Sequence, residues 1–216
     1  GSERTLAIDA LLIGYGFVPN SELAELAGLA GCAEGGSPPR DEWMESSLPG
    51  LYLAGDGSSI GGHEVAMLEG RIAALAAARR TGKITPAEAD RLCQPWRRAL
   101  ARKRGFIRAL DAAYPSPRGL ERLLTDDTVV CRCEDLTAGH IRAAIAAGAT
   151  TVNAVKHRTR AGMGRCQGRM CRRTVEQLIE LETGRPVAAE RCSVRPPILP
   201  IPLADLIVPA EPDFNA

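Results

Sequence analysis

The order of apolar and polar residues predicts short strands and a short helix at the start of the chain. Residues 6–14 and 50–56 are mostly apolar runs that end in Gly or in Gly-Asp, which is typical of buried strands. Between them, Asn20 or Ser21 can cap a short helix because their side chains accept hydrogen bonds from free amides. The inner face of that helix is predicted to hold Leu23, Leu26 and Ala27.

Two longer helices are predicted next. A helical pattern runs through residues 63–80 and stops near Gly82. The sequence TPAE at residues 85–88 combines a capping box with proline at the first helical position, so a second helix should begin there. That helix is predicted to reach about Ala113, before YPSPRG breaks it.

The pattern changes to short helices from residue 131 onward. A cysteine-containing loop is followed by predicted helices at residues 137–147, from about residue 151, and at residues 171–183. Seven prolines then lie within the last 32 residues. Because proline lacks the amide proton that a helix needs, residues 185–216 are predicted to be an extended tail.

Charge is distributed unevenly although the net charge of the chain is only +1. Residues 131–173 carry a net charge of +7 and the rest carries −6, so a basic segment is joined to an acidic body. No apolar run approaches the roughly 18 residues of a membrane span, and no export signal opens the sequence. Together with seven cysteines, an odd number, this predicts a cytoplasmic, reducing location.

Four of the cysteines form two close pairs, C-x-C at Cys131 and Cys133 and C-x4-C at Cys166 and Cys171. A reducing compartment disfavours disulfides, while zinc and iron–sulfur clusters both use four thiolates. C-x-C is an uncommon zinc spacing. An anionic site would also be stabilised by the basic residues, by the helix that begins at Cys171, and by amides of a loop containing Gly162, Gly164 and Gly168. These features favour iron without excluding zinc.

The segment from VVCRCED to GRCQGRMC, residues 129–171, strongly resembles the [2Fe-2S] domain of the bacterioferritin-associated-ferredoxin (BFD) type. The resemblance includes both cysteine pairs and the loop TRAGMGRCQGRMC. It implies one [2Fe-2S] cluster, wrapped by three short helices in a domain of residues 129–184. The cluster ligands that it implies are Cys131, Cys133, Cys166 and Cys171.

The alternative is a zinc-stabilised module that binds nucleic acid through its +7 segment. Residues 131–173 contain no Phe, Tyr or Trp on which bases could stack, so we expect no nucleic-acid partner.

A second candidate site lies at the end of the predicted strand 50–56. The layout strand, Gly-Asp, glycine turn and helix is typical of cofactor binding: Asp56 could bind a sugar or ribityl hydroxyl, and helix N-terminal amides could bind a phosphate. The alternative is an ordinary turn in which Asp56 caps the helix. The candidate cofactor-binding residues are Gly55, Asp56, Gly61, Gly62 and His63.

This segment resembles the C-terminal FAD-binding half of flavoproteins with two dinucleotide-binding domains, and LLIGYGFVPN resembles their crossing strand. The resemblance predicts an α/β fold: part of a flavoprotein domain over residues 1–82 and a helical linker over residues 83–128, before the mainly helical [2Fe-2S] domain and the extended tail. The whole arrangement resembles the FAD-binding subunits of bacterial opine oxidases, cyanide-producing glycine oxidases and dye-linked proline or hydroxyproline dehydrogenases.

That resemblance implies an oxidoreductase subunit that passes electrons from an amino-acid- or opine-oxidising flavoprotein partner through the cluster. The G-x-G-x-x-G strand-turn-helix expected for the adenosine part of FAD is absent from the sequence. We therefore expect a C-terminal fragment, or an N-terminal FAD-binding half on a separate chain. The isolated chain should bind FAD weakly or not at all and should not be catalytically competent. No pair of residues indicates a catalytic acid or base.

Overall fold

A computed structural model describes residues 3–12, 14, 17–29, 38–114, 123–187 and 193–207 of the 216-residue chain. The helices in these ranges are α1 (Glu22–Leu26), α2 (Gly62–Arg80), α3 (Pro86–Ala113), α4 (Ala138–Ala146), α5 (Val152–Thr159) and α6 (Arg172–Thr183). Two short antiparallel strands, β1 (Val129–Cys131) and β2 (Leu136–Thr137), form a hairpin.

The helix pair α2–α3 forms the first hydrophobic core. Its fully buried side chains include Ile72 on α2 and Cys93 on α3, packed with Trp43 from the preceding loop. The predicted start of α3 is confirmed: Pro86 is in its first turn, and the Thr85 hydroxyl accepts the Glu88 amide at 3.2 Å. A local cap therefore determines where α3 begins.

The three short helices α4, α5 and α6 enclose a second, separate core. All three were predicted, and their observed bounds differ from the predicted ones by a residue or two. Each helix contributes a fully buried side chain to this core: Ile141 from α4, Val155 from α5 and Leu178 from α6. The hairpin β1–β2 joins this core through Val130, so the loop between the two strands is held at its edge.

The two strands predicted in the first half do not form in the described residues. Residues 3–12 have no regular structure and are exposed; Leu12, for example, is 92% exposed to solvent. The run 50–56 makes one isolated bridge, Glu45 to Tyr52, and then a 3-10 turn at Gly55–Gly57. A strand is stabilised by the backbone of a neighbouring strand. Among the described residues, run 6–14 has no such neighbour, and run 50–56 is paired only briefly with residues 44–46.

The inner face predicted for α1 is wrong. Leu23 and Leu26 are exposed, whereas Ala24 and the following Leu29 are buried. The helix has only five residues and contacts the Gly55–Gly57 turn, so a small side chain lies on its contact face.

The proline-rich segment is described only in part. Residues 193–202 form neither helix nor strand, and Leu203–Leu206 form a 3-10 turn. Ser193 is attached to α5, because its amide donates to Asn153 Oδ1 at 3.0 Å. The extended tail of residues 185–216 stays a prediction. No helix in the described ranges is both long and apolar enough to span a membrane.

Candidate cofactor sites

The four paired cysteines come together in two facing loops. Cys131 and Cys133 lie at the β1–β2 connection, and Cys166 and Cys171 lie in the loop between α5 and α6. The side chain of Cys171 interacts with that of Cys131, and the side chain of Cys166 interacts with that of Cys133. The fold therefore pairs one cysteine of the C-x-C motif with one of the C-x4-C motif in each case.

The two thiol pairs differ in their exposure to solvent. Cys131 and Cys171 are each 1% exposed, whereas Cys133 is exposed and Cys166 is intermediate. Burial raises the pKa of Cys171 to about 12, and the adjacent Cys131 adds to that rise. One pair is thus anchored in the core and the other faces solvent.

The four thiols match the donor set of a [2Fe-2S] cluster in number and chemistry. Such a cluster takes four thiolates shared between two iron atoms, and two pairs of cysteines supply them here. The donor set therefore fits the cluster that the sequence resemblance implies.

Gly164 shows how closely the two loops approach each other. A Cβ atom built on Gly164 would overlap Cys133 Cβ and would lie 3.2 Å from Cys133 Sγ. Gly162 and Gly168 face each other at van der Waals distance, and both have a positive φ, +83° and +82°. The glycines singled out in the sequence are needed because the loop packs on itself and on a cysteine.

Backbone amides of the second loop stabilise a charged sulfur at Cys166. Burial raises the pKa of Cys166, but hydrogen bonds from the Met170, Gly168 and Arg169 amides and from the Cys133 thiol outweigh it, so that its pKa lies below the usual value. Cys171 is the N-cap of α6, as predicted, so the positive end of that helix dipole is directed at the site.

The arginines around the site are mostly paired with acids. Arg160 Nε lies 2.9 Å from Glu134 Oε2, and Arg172 Nε lies 3.6 Å from Glu176 Oε1. Arg169 Nη2 lies 3.0 Å from Glu22 Oε1, in the first half of the chain. Arg158 and Arg165 are exposed. Because Arg160, Arg169 and Arg172 are paired with carboxylates, the +7 segment attracts a polyanion such as nucleic acid less strongly than its net charge suggests.

The candidate flavin-binding residues lie in two neighbouring segments and differ in exposure, with Gly55 buried and Gly61 half-buried. Gly55 and Asp56 lie in the 3-10 turn, and Gly61, Gly62 and His63 form the N-terminus of α2, a helix of 19 residues. Asp56, Gly62 and His63 are exposed. The alternative in which Asp56 caps α2 is wrong, because Gly61 occupies the N-cap and no side chain caps the helix.

A buried carboxylate that the sequence reasoning missed supports the Gly55–Gly57 turn. Glu69 on α2 is 0% exposed and accepts hydrogen bonds from the guanidinium groups of Arg40 (2.8 and 2.9 Å) and Arg104 (2.8 Å). It also accepts the Gly55 amide at 2.8 Å. Burial raises the pKa of Glu69, but these hydrogen bonds outweigh it and hold that pKa below its usual range.

The signal for Glu69 is visible in the sequence. The residue shares a helical stripe with the buried Val65, Ile72 and Ala76, and a glutamate on such a stripe needs a buried partner. Its partners could not be read from the sequence, because Arg40 and Arg104 lie 29 and 35 residues away.

Of the three remaining cysteines, Cys93 is the one within the described residues. Cys93 is buried in the α2–α3 core, where burial raises its pKa. Cys32 and Cys192 lie outside the described residues.

Two family models match the chain. Residues 129–180 match the BFD-like [2Fe-2S] binding domain, and residues 1–89 match the pyridine nucleotide-disulphide oxidoreductase model. These matches confirm the sequence resemblance and support the two expected cofactor classes, [2Fe-2S] and FAD.

The chain is also similar to subunits of two curated enzymes. It is 37% identical to hydrogen cyanide synthase subunit HcnB of Pseudomonas aeruginosa over 195 residues, which cover 84% of this chain and 40% of the relative. It is 35% identical to an opine oxidase subunit of Rhizobium meliloti over 217 residues, covering 95% of this chain and 40% of the relative. The chain thus spans about two fifths of these relatives.

A solved structure shares the fold. The crystal structure of L-proline dehydrogenase from P. horikoshii matches 79% of this chain and 33% of its own, with a TM-score of 0.57 and 24% identity. The first half therefore has a flavoprotein-like α/β fold, of which the described residues show mostly helices.

Proposed function

We propose that the chain is the electron-transfer portion of a flavin and iron–sulfur oxidoreductase subunit. The observation that carries the proposal is the meeting of four thiols, in two pairs, within a segment that matches a [2Fe-2S] binding domain. In the proposal, one cluster is ligated by Cys131, Cys133, Cys166 and Cys171. When bound, that cluster accepts and releases one electron at a time.

The protein residues have separate tasks in this proposal. The buried pair, Cys131 and Cys171, anchors the cluster to the core, and the more exposed pair, Cys133 and Cys166, forms the edge through which electrons reach it. Amides of the second loop offset the negative charge of the sulfurs, which favours the reduced, more anionic state. No acid or base of this chain is assigned to catalysis.

We also propose that Gly55, Asp56, Gly61, Gly62 and His63 contact FAD in the complete protein. Asp56 would accept hydrogen bonds from sugar or ribityl hydroxyls, and the amides at the N-terminus of α2 would bind a phosphate. The Glu69 hydrogen bond to the Gly55 amide supports this assignment, because it fixes the turn that presents Asp56.

The domain division proposed for the chain is a flavin-binding part at residues 1–82, a helical linker at 83–128, the [2Fe-2S] domain at 129–184 and the tail at 185–216. Two separate cores support the boundary near residue 129, whereas the first core contains residues from both sides of the boundary at residue 82. Since relatives are named as subunits, we propose a hetero-oligomer in which a partner flavoprotein oxidises an amino acid or an opine.

Redox titration of the purified chain tests the proposal. Anaerobic reduction with dithionite should bleach the visible absorption of the cluster and produce a paramagnetic signal, and a one-electron dye should restore the oxidised spectrum. A colourless chain that binds zinc and retards a DNA duplex in a gel would contradict the proposal and support the nucleic-acid alternative.

A further inference from the structure

The cysteine loop is joined to the flavin-binding part by the side chain of Arg169. Arg169 Nη2 lies 3.0 Å from Glu22 Oε1 and donates to Asn20 Oδ1 at 3.2 Å. One guanidinium group thus contacts Glu22, the first residue of α1, and Asn20, which precedes that helix; both are distant from Arg169 in the sequence.

The Asn20 end of this contact is fixed to the proposed flavin turn. The Asn20 amide donates to the Asp56 carbonyl at 2.8 Å, and α1, which begins at Glu22, contacts the Gly55–Gly57 turn. Any group held by Asn20 and Glu22 is therefore held beside Asp56.

The Arg169 end is fixed to the cysteine site. Arg169 lies between Cys166 and Cys171, its amide bonds to the Cys166 carbonyl at 3.2 Å, and the same amide stabilises the Cys166 sulfur. The backbone of Arg169 therefore belongs to the cysteine site, while its side chain contacts the residues that hold the proposed flavin turn.

The partial burial of this ion pair makes the loss of one partner more costly than in an exposed surface pair. The side chain of Glu22 is 13% exposed and that of Arg169 is 29% exposed. The second carboxylate oxygen, Glu22 Oε2, is buried and has no hydrogen-bond partner. Exposed ion pairs contribute little, but removing one partner of a buried pair leaves an uncompensated charge. The Glu22 carboxylate consequently depends on Arg169.

We propose that Arg169 is a positioning residue that holds the cysteine loop against Asn20 and Glu22, and so keeps the [2Fe-2S] site beside the flavin turn within one chain. This inference rests on the proposed function for the identity of the two sites. Because electron-transfer rates fall steeply with distance, the contact would favour exchange between the flavin and the cluster of the same chain.

Charge reversal with hydrogen–deuterium exchange tests the proposal. The variants are Arg169→Glu, Glu22→Arg and the double reversal, and the matched control is Arg165→Glu, which changes an exposed arginine of the same loop. Amides of residues 17–29 should exchange about fivefold faster in each single variant, as expected for loss of roughly 1 kcal/mol of local stability. The double reversal should restore slow exchange, and the control should match wild type.

Wild-type exchange rates in both single variants would overturn the proposal, as would a double reversal that exchanges as fast as the single ones. The visible spectrum of each sample reports whether the cluster is present and so tests the proposed function, whereas the exchange rates test the contact. A wild-type chain without a cluster spectrum contradicts the function but leaves the exchange result meaningful. Glu22 is far from the cysteines in the sequence. The Glu22→Arg variant therefore still tests the contact if the Arg169→Glu variant loses the cluster.

Discussion

Gly164 is a position where a single added carbon should disturb the cysteine site. Gly164→Ala would place a Cβ atom against Cys133 Cβ, closer than two carbon atoms can approach, so one of the two loops must move. Overpacking of this kind costs about 1–3 kcal/mol. We expect a lower iron content per chain and weaker visible absorption in the variant.

Gly70→Ala provides the matched control for that substitution. Gly70 lies within α2, and a Cβ atom there meets nothing within 4 Å. Alanine at such a helical position should be neutral or stabilising by about 0.5–1 kcal/mol. Equal iron content in Gly164→Ala and Gly70→Ala would show that the loop is not as tightly packed around Cys133 as the structure indicates.

Single residues differ in how far the sequence predicts their role. The four cysteines and the glycines between them could be predicted because residue type and spacing within two short segments carry the signal. The partners of Glu69 and Arg169 could not, since each contact joins residues that are distant in the sequence.

At the level of elements, Glu69 should stabilise the α2–α3 pair and the turn before it. In Glu69→Gln, the buried Arg40 loses a charged partner, and breaking a buried pair typically costs about 3–5 kcal/mol. Trp43 and Trp96 both belong to this core, so tryptophan fluorescence during urea unfolding measures the loss. The cluster absorption, which reports on the other core, should change little.

Glu64→Gln is a matched control, because Glu64 lies on the same helix and also pairs with α3, through Lys103 at 2.6 Å. That pair is largely exposed, so its loss should destabilise the fold much less than the loss of the buried carboxylate. Equal destabilisation by the two substitutions would contradict a structural role for the buried carboxylate.

The contribution of Glu69 should also depend on pH. Its pKa is held below the usual range in the folded protein, so its stabilising effect is present at neutral pH and is lost as the pH falls through the folded pKa. The difference in unfolding free energy between wild type and Glu69→Gln should therefore shrink below about pH 4. A difference that is constant from neutral to acid pH would contradict this assignment.

Helices were predicted well and strands were not, for a physical reason. The starts of α3, α4 and α5 follow from threonine caps, and the ends of α2 and α6 follow from the glycines just after them, Gly82 and Gly184; these signals are local. The runs 6–14 and 50–56 have the composition of strands, but a strand also needs a neighbour. The sequence of a run does not show whether that neighbour is present.

At the scale of the molecule, the exposure of three candidate flavin-binding residues predicts weak FAD binding by these 216 residues. Asp56, Gly62 and His63 form an open surface, and a bound cofactor is normally buried over most of its area. We expect FAD to be lost during gel filtration of this chain. Stoichiometric FAD retained by the chain alone would contradict the expectation.

The central claim is that the two cysteine pairs, and no other cysteines, hold one [2Fe-2S] cluster. The most direct measurement is the iron, acid-labile sulfide and zinc content of anaerobically purified chain, together with its visible spectrum. It should be made on the wild type, on Cys166→Ser, and on a variant with Cys32→Ser, Cys93→Ala and Cys192→Ser. Alanine is used at position 93 because that thiol is buried in the α2–α3 core.

We predict two iron and two sulfide atoms per chain, with a coloured spectrum, in the wild type and in the triple variant. Cys166→Ser should lose most of the iron, because a thiolate ligand is removed. Zinc in place of iron, or loss of the cluster in the triple variant, would contradict the claim.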